Sequence, residues 1–441
     1  MRKQILKRVC AISLGCPKNL VDTEVMLGLL KKAGYEITFN PNNADVLIIN
    51  TCSFIKPAVD ESKAVIHEAL KKNQEIIVAG CLVQRYGNDI LQEFPNIAYL
   101  IAPGEIYKIC KILKLPQKVY LGTPKFIYSD NTPRLLTTLN FTAYVKIAEG
   151  CSNCCSYCLI PKLRGRFRSR KIDSIVKEVE NLAFLGIKEI ILIAQDTTFY
   201  GTDIYGKPKL AELLKELVKI SPIKWIRIMY THPEHLTDDV ISMISNEEKI
   251  CPYIDIPLQH MDDKILKRMN RPLPSSQILR LIKKLKTTIP DIALRTSLMV
   301  GFPGESKEDF KKLVDFVKEI EFDRLGVFKY SNEEGTIAFS MPDQIQEQVK
   351  EERFCQLMEL QQEISAKKLK NKVGKRIEVV IEKVADKITY ARSKYDAPDI
   401  DGLVIIPEKI GKIGEFVEVE IIASKEYDLL AKKSCNHFLI D

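Results

Sequence analysis

The sequence predicts an α/β protein in three segments: an N-terminal parallel-sheet α/β domain, a central partial (β/α)6 barrel and a small C-terminal β-barrel. Strand-like apolar runs alternate with helical patterns from Val9 to Tyr330, as in parallel sheets covered by helices. One long polar-apolar helical stretch follows over 343–373, and beyond Gly374 only short β-rich runs remain. The 441 residues also exceed one ordinary domain, and length alone suggests about three.

In the N-terminal segment, 1–114, three strand-helix units are read: Val9–Leu14 with Asn19–Ala33, Asp45–Asn50 with Pro57–Lys72, and Glu75–Gly80 with Leu82–Phe94. Residues 115–140 carry Pro116, Pro124 and Pro133 with little periodicity and read as a linker. The central segment, 141–342, holds six strand candidates: Ala143–Ala148, Glu189–Ala194, Trp225–Tyr230, Tyr253–Leu258, Ala293–Val300 and Leu325–Tyr330. Helical patterns such as Ser174–Leu185, Lys209–Ile220 and Lys307–Ile320 fall between them, which suits an open barrel with its site at the C-terminal strand ends. A connecting helix over 343–373 leads to 374–441. There Arg376–Ile381, Thr389–Arg392, Leu403–Ile406 and Glu415–Ile422 suggest the small barrel. Lys432–Asp441 continues past it without a reading.

Composition is globular, with 46% hydrophobic and 28% charged residues. No run approaches the roughly 18 apolar residues of a membrane span, and the basic start Met1–Arg8 leads into a strand, not a signal peptide. The expected location is the cytoplasm, with no membrane partner. Twelve cysteines in a reducing compartment point to metal or cluster ligation rather than disulfides. Net charge is +8; the segment 371–441 has 12 Lys+Arg against 13 Asp+Glu, so the remainder carries the positive excess. A basic body suits an anionic partner, whereas a near-neutral tail is poorly suited to RNA phosphates and better suited to a basic protein.

Cys151, Cys155 and Cys158 spell C-x3-C-x2-C just after the first barrel strand. Three thiolates on one tight loop can hold three irons of a [4Fe-4S] cluster and leave the fourth iron open. Zinc is the alternative, because Cys151/Cys154 and Cys155/Cys158 both have zinc-like spacing. With no spacer between the pairs, one tetrahedral ion could hardly take all four. Cys154 has no assigned role. Cys16, Cys52 and Cys81 each sit just past a predicted strand of the N-terminal segment. In a parallel sheet those ends meet along one edge, so the three could form a second three-thiolate site or be core residues. Cys10, Cys110, Cys251, Cys355 and Cys435 lack this placement and read as core or surface thiols.

These blocks resemble the methylthiotransferases of the radical S-adenosylmethionine superfamily. The resemblance rests on Ser13–Asp22, Asn50–Ile55, Ala79–Leu82, Arg164-Gly165 with Ser169-Arg170, and Val300–Glu305, and the final β segment is similar to a TRAM domain. Leu14–Asn19, Ala194–Thr198 and Asp255–His260 resemble the RimO type, which modifies an aspartate of ribosomal protein S-twelve. The tRNA-modifying MiaB type, the alternative, typically has Gln-Met-Asn after the first cysteine and Gln-Ser where this chain has Gln259-His260. Cys154 and Met261 depart from the family pattern.

The resemblance implies two [4Fe-4S] clusters, on Cys151, Cys155 and Cys158 and on Cys16, Cys52 and Cys81, and S-adenosylmethionine bound at the open iron of the first. It implies a 5′-deoxyadenosyl radical that removes hydrogen from the aspartate β-carbon, sulfur held at the second cluster, and 3-methylthioaspartate as product. An electron donor such as flavodoxin or ferredoxin and a monomeric enzyme are expected. Candidates for the cofactor are Tyr157 between the cluster ligands, Gln195 and Asp196 at the second strand's end, and Arg295 on the fifth strand. Each has a structural alternative: loop packing for Tyr157, helix capping for Gln195 and Asp196, an ion pair for Arg295. Gln259 and His260 could orient substrate, or His260 could be a satisfied core histidine. The basic run Arg164, Arg166, Arg168, Arg170 and Lys171 is either a solvated face or a contact to the target or its RNA.

Overall fold

The computed structural model describes residues 7–434, so most of the basic leader, and Cys435 with the end of the C-terminal extension, lie outside the described residues. The N-terminal sheet comprises β1 (Arg8–Ser13), β2 (Glu36–Ile37), β3 (Val46–Thr51), β4 (Glu75–Gly80), β5 (Tyr99–Ile101) and β6 (Val119–Tyr120). They pair in parallel in the order β2-β1-β3-β4-β5-β6. Strand β3 is buried along its whole length, as a central parallel strand covered on both faces must be. Two expectations are corrected. Leu82–Phe94 is two short helices, Cys81–Tyr86 and Asp89–Glu93, because Gly87 between them turns to positive φ. The stretch read as a linker supplies strand β6, and its Arg134 backbone packs so closely on Gly28 that a Cβ there would lie 2.5 Å from the Arg134 nitrogen.

The central barrel comprises β7 (Thr142–Lys146), β8 (Ala148–Glu149), β9 (Arg168–Ser169), β10 (Glu189–Ile193), β11 (Trp225–Ile228), β12 (Ile250–Asp255), β13 (Ala293–Val300) and β14 (Arg324–Lys329). Six of these form an open parallel sheet in sequence order, β7-β10-β11-β12-β13-β14. The short antiparallel pair β8-β9 clamps the base of the cysteine loop. Strand β12 begins at Ile250 rather than Tyr253 and ends before Pro257, which has no N–H to give, and Gln259, at φ 73°, pairs again with Leu298 of β13. Alternate side chains serve two cores. Ala143, Val145, Ile190, Leu192 and Ile226 face the helical shell. Tyr144, Ile191, Trp225, Cys251 and Tyr253 face the concave side, where Val21 and Val25 of the helix Pro17–Lys32 and Val380 and Ala397 from the C-terminal segment fill it.

The helix Glu347–Lys370 leads to a closed five-stranded barrel: β15 (Arg376–Val384), β16 (Thr389–Ser393), β17 (Val404–Ile406), β18 (Phe416–Ser424) and β19 (Leu429–Lys433). The fifth strand was not anticipated. It takes in Lys432 and Lys433, so the supposed extension begins inside the barrel. Closure removes the sheet edges that would otherwise invite pairing with other chains.

The small barrel is fastened by buried charge. Glu189, fully buried, receives Arg392 Nη2 at 2.5 Å and Arg227 Nε at 3.3 Å. Burial alone would raise the Glu189 carboxyl, but Arg392 and Arg227 hold it below its ordinary range. Removing one partner of such a group leaves an uncompensated buried charge, at about 3–5 kcal/mol. Arg392→Met is therefore expected to lower the unfolding midpoint and release the C-terminal barrel to protease early. Arg376→Met, removing an exposed contact to Glu418 at 4.0 Å, should leave both unchanged.

Candidate active site

Cys16, Cys52 and Cys81 follow β1, β3 and β4, three neighbouring strands whose C-terminal ends lie on one edge. Asn19 ties the loops together, donating to Leu14 O and Thr51 O, each at 2.9 Å, while Asn50 Nδ2 donates to Asn19 O at 2.8 Å. Gly15 sits at φ 83°, and a Cβ there would lie 2.7 Å from Cys52 Cβ and 3.0 Å from its sulfur. The three thiols feel one another's charge: burial pushes Cys81 up to about 12, Cys52 and Cys16 add to the rise, and Arg164 opposes it.

The second set lies on the loop clamped by β8-β9. The Cys151 amide donates to Gly165 O at 3.1 Å. The Asn153 amide points at Cys151 Sγ and the Ile160 amide at Cys158 Sγ, both at 3.4 Å, and Arg271 Nη1 lies 3.9 Å from Cys155 Sγ. Burial pushes Cys151 and Cys158 up to about 12. Buried thiols of this kind ionise when a metal takes them, and N–H groups aimed at sulfur are what a cluster's thiolates use to spread their charge. Neither set is drawn tight around one point. Among the described residues the one trio whose ligand atoms all lie within 4.8 Å is Asp196, His232 and His235. Cys154 is exposed, its sulfur 3.7 Å from Ser152 O.

The two sets share a wall. Arg164, on the segment after Cys158, reaches across to donate to Cys81 Sγ at 3.2 Å, and Cys81 packs against Leu159 and Leu163. Arg164 also pairs with Asp22 at 2.5 Å and bonds Asn19 Oδ1. Lys146 bridges Asp22 at 2.5 Å and Glu149 at 2.6 Å. Burial would raise the Glu149 carboxyl, but Lys146 and Arg164 hold it at about 2. Burial works against the Arg164 charge, yet Cys81, Asp22 and Glu149 more than offset it, and the guanidinium stays charged.

Of the cofactor candidates, Gln195 donates to Glu149 at 2.6 Å and leaves its buried Oε1 without a partner, a free acceptor at the barrel mouth. Asp196 is occupied by Asn153, Thr198, the Phe199 amide and His235 at 2.7 Å. Tyr157 stands edge-on to Phe302 with centroids 6.5 Å apart. Arg295 pairs with Asp255 at 2.9 Å and Asp401 at 3.5 Å, the structural one of its two alternatives. His260 is wholly buried, with Nδ1 accepting from the Asp262 amide at 3.0 Å. The basic run is neither solvated face nor outward contact throughout: Arg164 and Arg170 point inward, Arg170 onto Glu178 at 2.5 Å, while Arg166 and Lys171 are exposed. Sequence reasoning gave Lys18 and Asp22 no role of their own within the block Ser13–Asp22, and passed over Lys146, Glu149, Arg271 and the His232/His235 pair. Of those passed over, the histidine pair left a sequence signal, Thr231-His232-Pro233-Glu234-His235 after β11.

A three-cysteine loop at the mouth of an open parallel barrel defines the class. Residues 145–317 match the radical SAM superfamily, 8–102 the uncharacterized protein family UPF0004 and 373–433 the TRAM domain. The fold is similar to a radical S-adenosylmethionine methyltransferase, TsrM, from Kitasatospora setae, at TM-score 0.55 and 14% identity, covering 74% of this chain and 75% of that one. The particular family comes from full-length relatives. The chain is 47% identical to ribosomal protein uS12 methylthiotransferase RimO of Geotalea uraniireducens over 98% of its length and 99% of the relative's. It is 48% identical to the protein of that name from Desulforamulus reducens, over 96% and 98%. The chain belongs to the RimO family of methylthiotransferases.

Two four-iron clusters amount to about eight irons per chain after anaerobic reconstitution. Joint replacement of Cys16, Cys52 and Cys81 by alanine should halve the iron and sulfide, and Cys154→Ser should leave them unchanged. Gly15→Ala should act like loss of the first set, because the added Cβ displaces Cys52.

Proposed function

We propose that this chain replaces a hydrogen on the β-carbon of an aspartate in ribosomal protein uS12 with a methylthio group, as a radical S-adenosylmethionine methylthiotransferase. The observation that carries this reading is the contact of Arg164 with Cys81: one side chain ties the sulfur set of the N-terminal sheet to the loop of the second set. Cys151, Cys155 and Cys158 would hold one [4Fe-4S] cluster and Cys16, Cys52 and Cys81 the other. When bound, the first cluster with S-adenosylmethionine would supply one-electron cleavage of a carbon–sulfur bond, the second would supply the sulfur to be transferred, and a second S-adenosylmethionine would supply the methyl group.

The chain's own residues do the rest. Asn153 and Ile160 amides and Arg271 stabilise charge on the loop sulfurs. Gln195 offers a buried acceptor to the cofactor, and Tyr157 packs at its edge. The Asp22/Lys146/Glu149/Arg164 network keeps the wall between the sets closed to water, which matters because a radical site must exclude competing reactions. A one-electron donor such as flavodoxin or ferredoxin is the partner this chemistry needs. No helix among the described residues is long and apolar enough to cross a membrane, and we place the enzyme in the cytoplasm as a monomer.

The reconstituted, reduced enzyme should form 5′-deoxyadenosine and add one methylthio group, less a hydrogen, to a peptide of the uS12 target loop. Methylthio-adenosine in tRNA with the peptide untouched would overturn the assignment. Cys151→Ala should abolish cleavage of S-adenosylmethionine, whereas Cys81→Ala should retain cleavage and lose the methylthio product.

A further inference from the structure

Lys18 is the buried cation that the charge network leaves over. It stands two residues after Cys16 on the first turn of the helix Pro17–Lys32, only 7% exposed. Among the described residues its ammonium makes no hydrogen bond or ion pair. It lies 3.1 Å from the centroid of the Tyr230 ring, just past the C-terminal end of β11. Burial lowers its pKa, while Cys16, Asp255 and Glu149 favour the charged form and Arg164 opposes it. Both carboxylates are already committed: Asp255 to Arg295 and the Tyr230 amide, Glu149 to Lys146, Arg164 and Gln195. An ammonium withdrawn from water loses several kcal/mol of solvation, and an aromatic face returns about 0.5–2 kcal/mol. Lys18 is therefore a buried amine with no hydrogen-bond or ion-pair partner among the described residues, placed between the N-terminal sheet's cysteine set and the barrel mouth.

We propose that Lys18 binds the side-chain carboxylate of the target aspartate and so selects that residue. This rests on the uS12 reading above. The carboxylate is bonded directly to the β-carbon, so gripping it fixes the reacting carbon one bond away while leaving its C–H bonds free. A neutral base of RNA offers no such anion, and an asparagine in place of the aspartate presents an uncharged amide.

The test uses the reconstituted holoenzyme and two target-loop peptides, one with aspartate at the modified position and one with asparagine, with binding read by fluorescence anisotropy. A charge-assisted hydrogen bond of this kind corresponds to about a 10- to 100-fold preference for aspartate. Lys18→Gln and Lys18→Met should bring the ratio close to one with the asparagine peptide's affinity unchanged. Lys18→Arg should keep much of it. A ratio that survives Lys18→Gln overturns the proposal. Equal weakening of both peptides with loss of iron overturns it by assigning Lys18 to the cluster, and weakened S-adenosylmethionine binding without peptide overturns it by assigning Lys18 to the cofactor. Wild-type enzyme that binds neither peptide would refute the uS12 reading itself and not the role of Lys18 alone.

Discussion

Four buried charges hold this molecule in its working arrangement. Asp22 comes from the N-terminal domain, and Lys146, Glu149 and Arg164 come from the barrel. Each would lose several kcal/mol of solvation on burial alone. The set is tolerated because two acids meet two bases at short range and Gln195 and Asn19 satisfy remaining valences. Its worth lies less in net stability, which buried ion pairs seldom supply, than in position. Charges in low dielectric have few acceptable partners, so the domains can dock in few other ways. Docking in turn brings Arg164 to Cys81 and sets the N-terminal cysteines opposite the barrel loop.

The same reasoning explains the helix Pro17–Lys32. Val21, Val25, Met26, Leu27 and Leu30 bury apolar area, as any helix on a sheet would, yet Lys18, Asn19, Asp22, Thr23 and Glu24 are buried too. Glu24 meets Arg134 at 2.6 Å, and Arg134 continues to Glu178 at 2.8 Å. The helix is an interface element with polar groups on its barrel side. An apolar helix there would pack as well and say nothing about register.

The sequence made the framework and the cysteines legible because both follow from local rules. Strand-helix alternation implies a parallel sheet, and a parallel sheet gathers its C-terminal ends, so Cys16, Cys52 and Cys81 could be grouped without coordinates. Residues whose roles depend on docking were not legible. Arg164 and Arg170 read as part of an exposed basic run, since nothing local says that Asp22 and Glu178 await them. Lys18 lay inside the block Leu14–Asn19 without a role of its own, because the surface it faces belongs to a strand end more than two hundred residues away. Arg295 met a partner from the C-terminal barrel, Asp401, that no pattern within the central domain could announce.

That last pairing gives the C-terminal barrel a role besides the outer surface that its near-neutral charge suits to a basic protein. Three of its charges are spent inward: Arg392 on Glu189, Asp396 on Arg324, and Asp401 on Arg295 and the Tyr253 hydroxyl at 2.8 Å. Glu189 opens β10, and Trp225, which packs edge-on to Phe416, opens β11. The small barrel thus plugs the concave side from the N-terminal ends of the strands, while the N-terminal domain covers the C-terminal ends. An open six-stranded barrel would admit water through its floor. Closing it from both ends, with ion pairs that have no equivalent alternative partners, holds the barrel's cysteine loop and the N-terminal cysteine set together through the contact of Arg164 with Cys81.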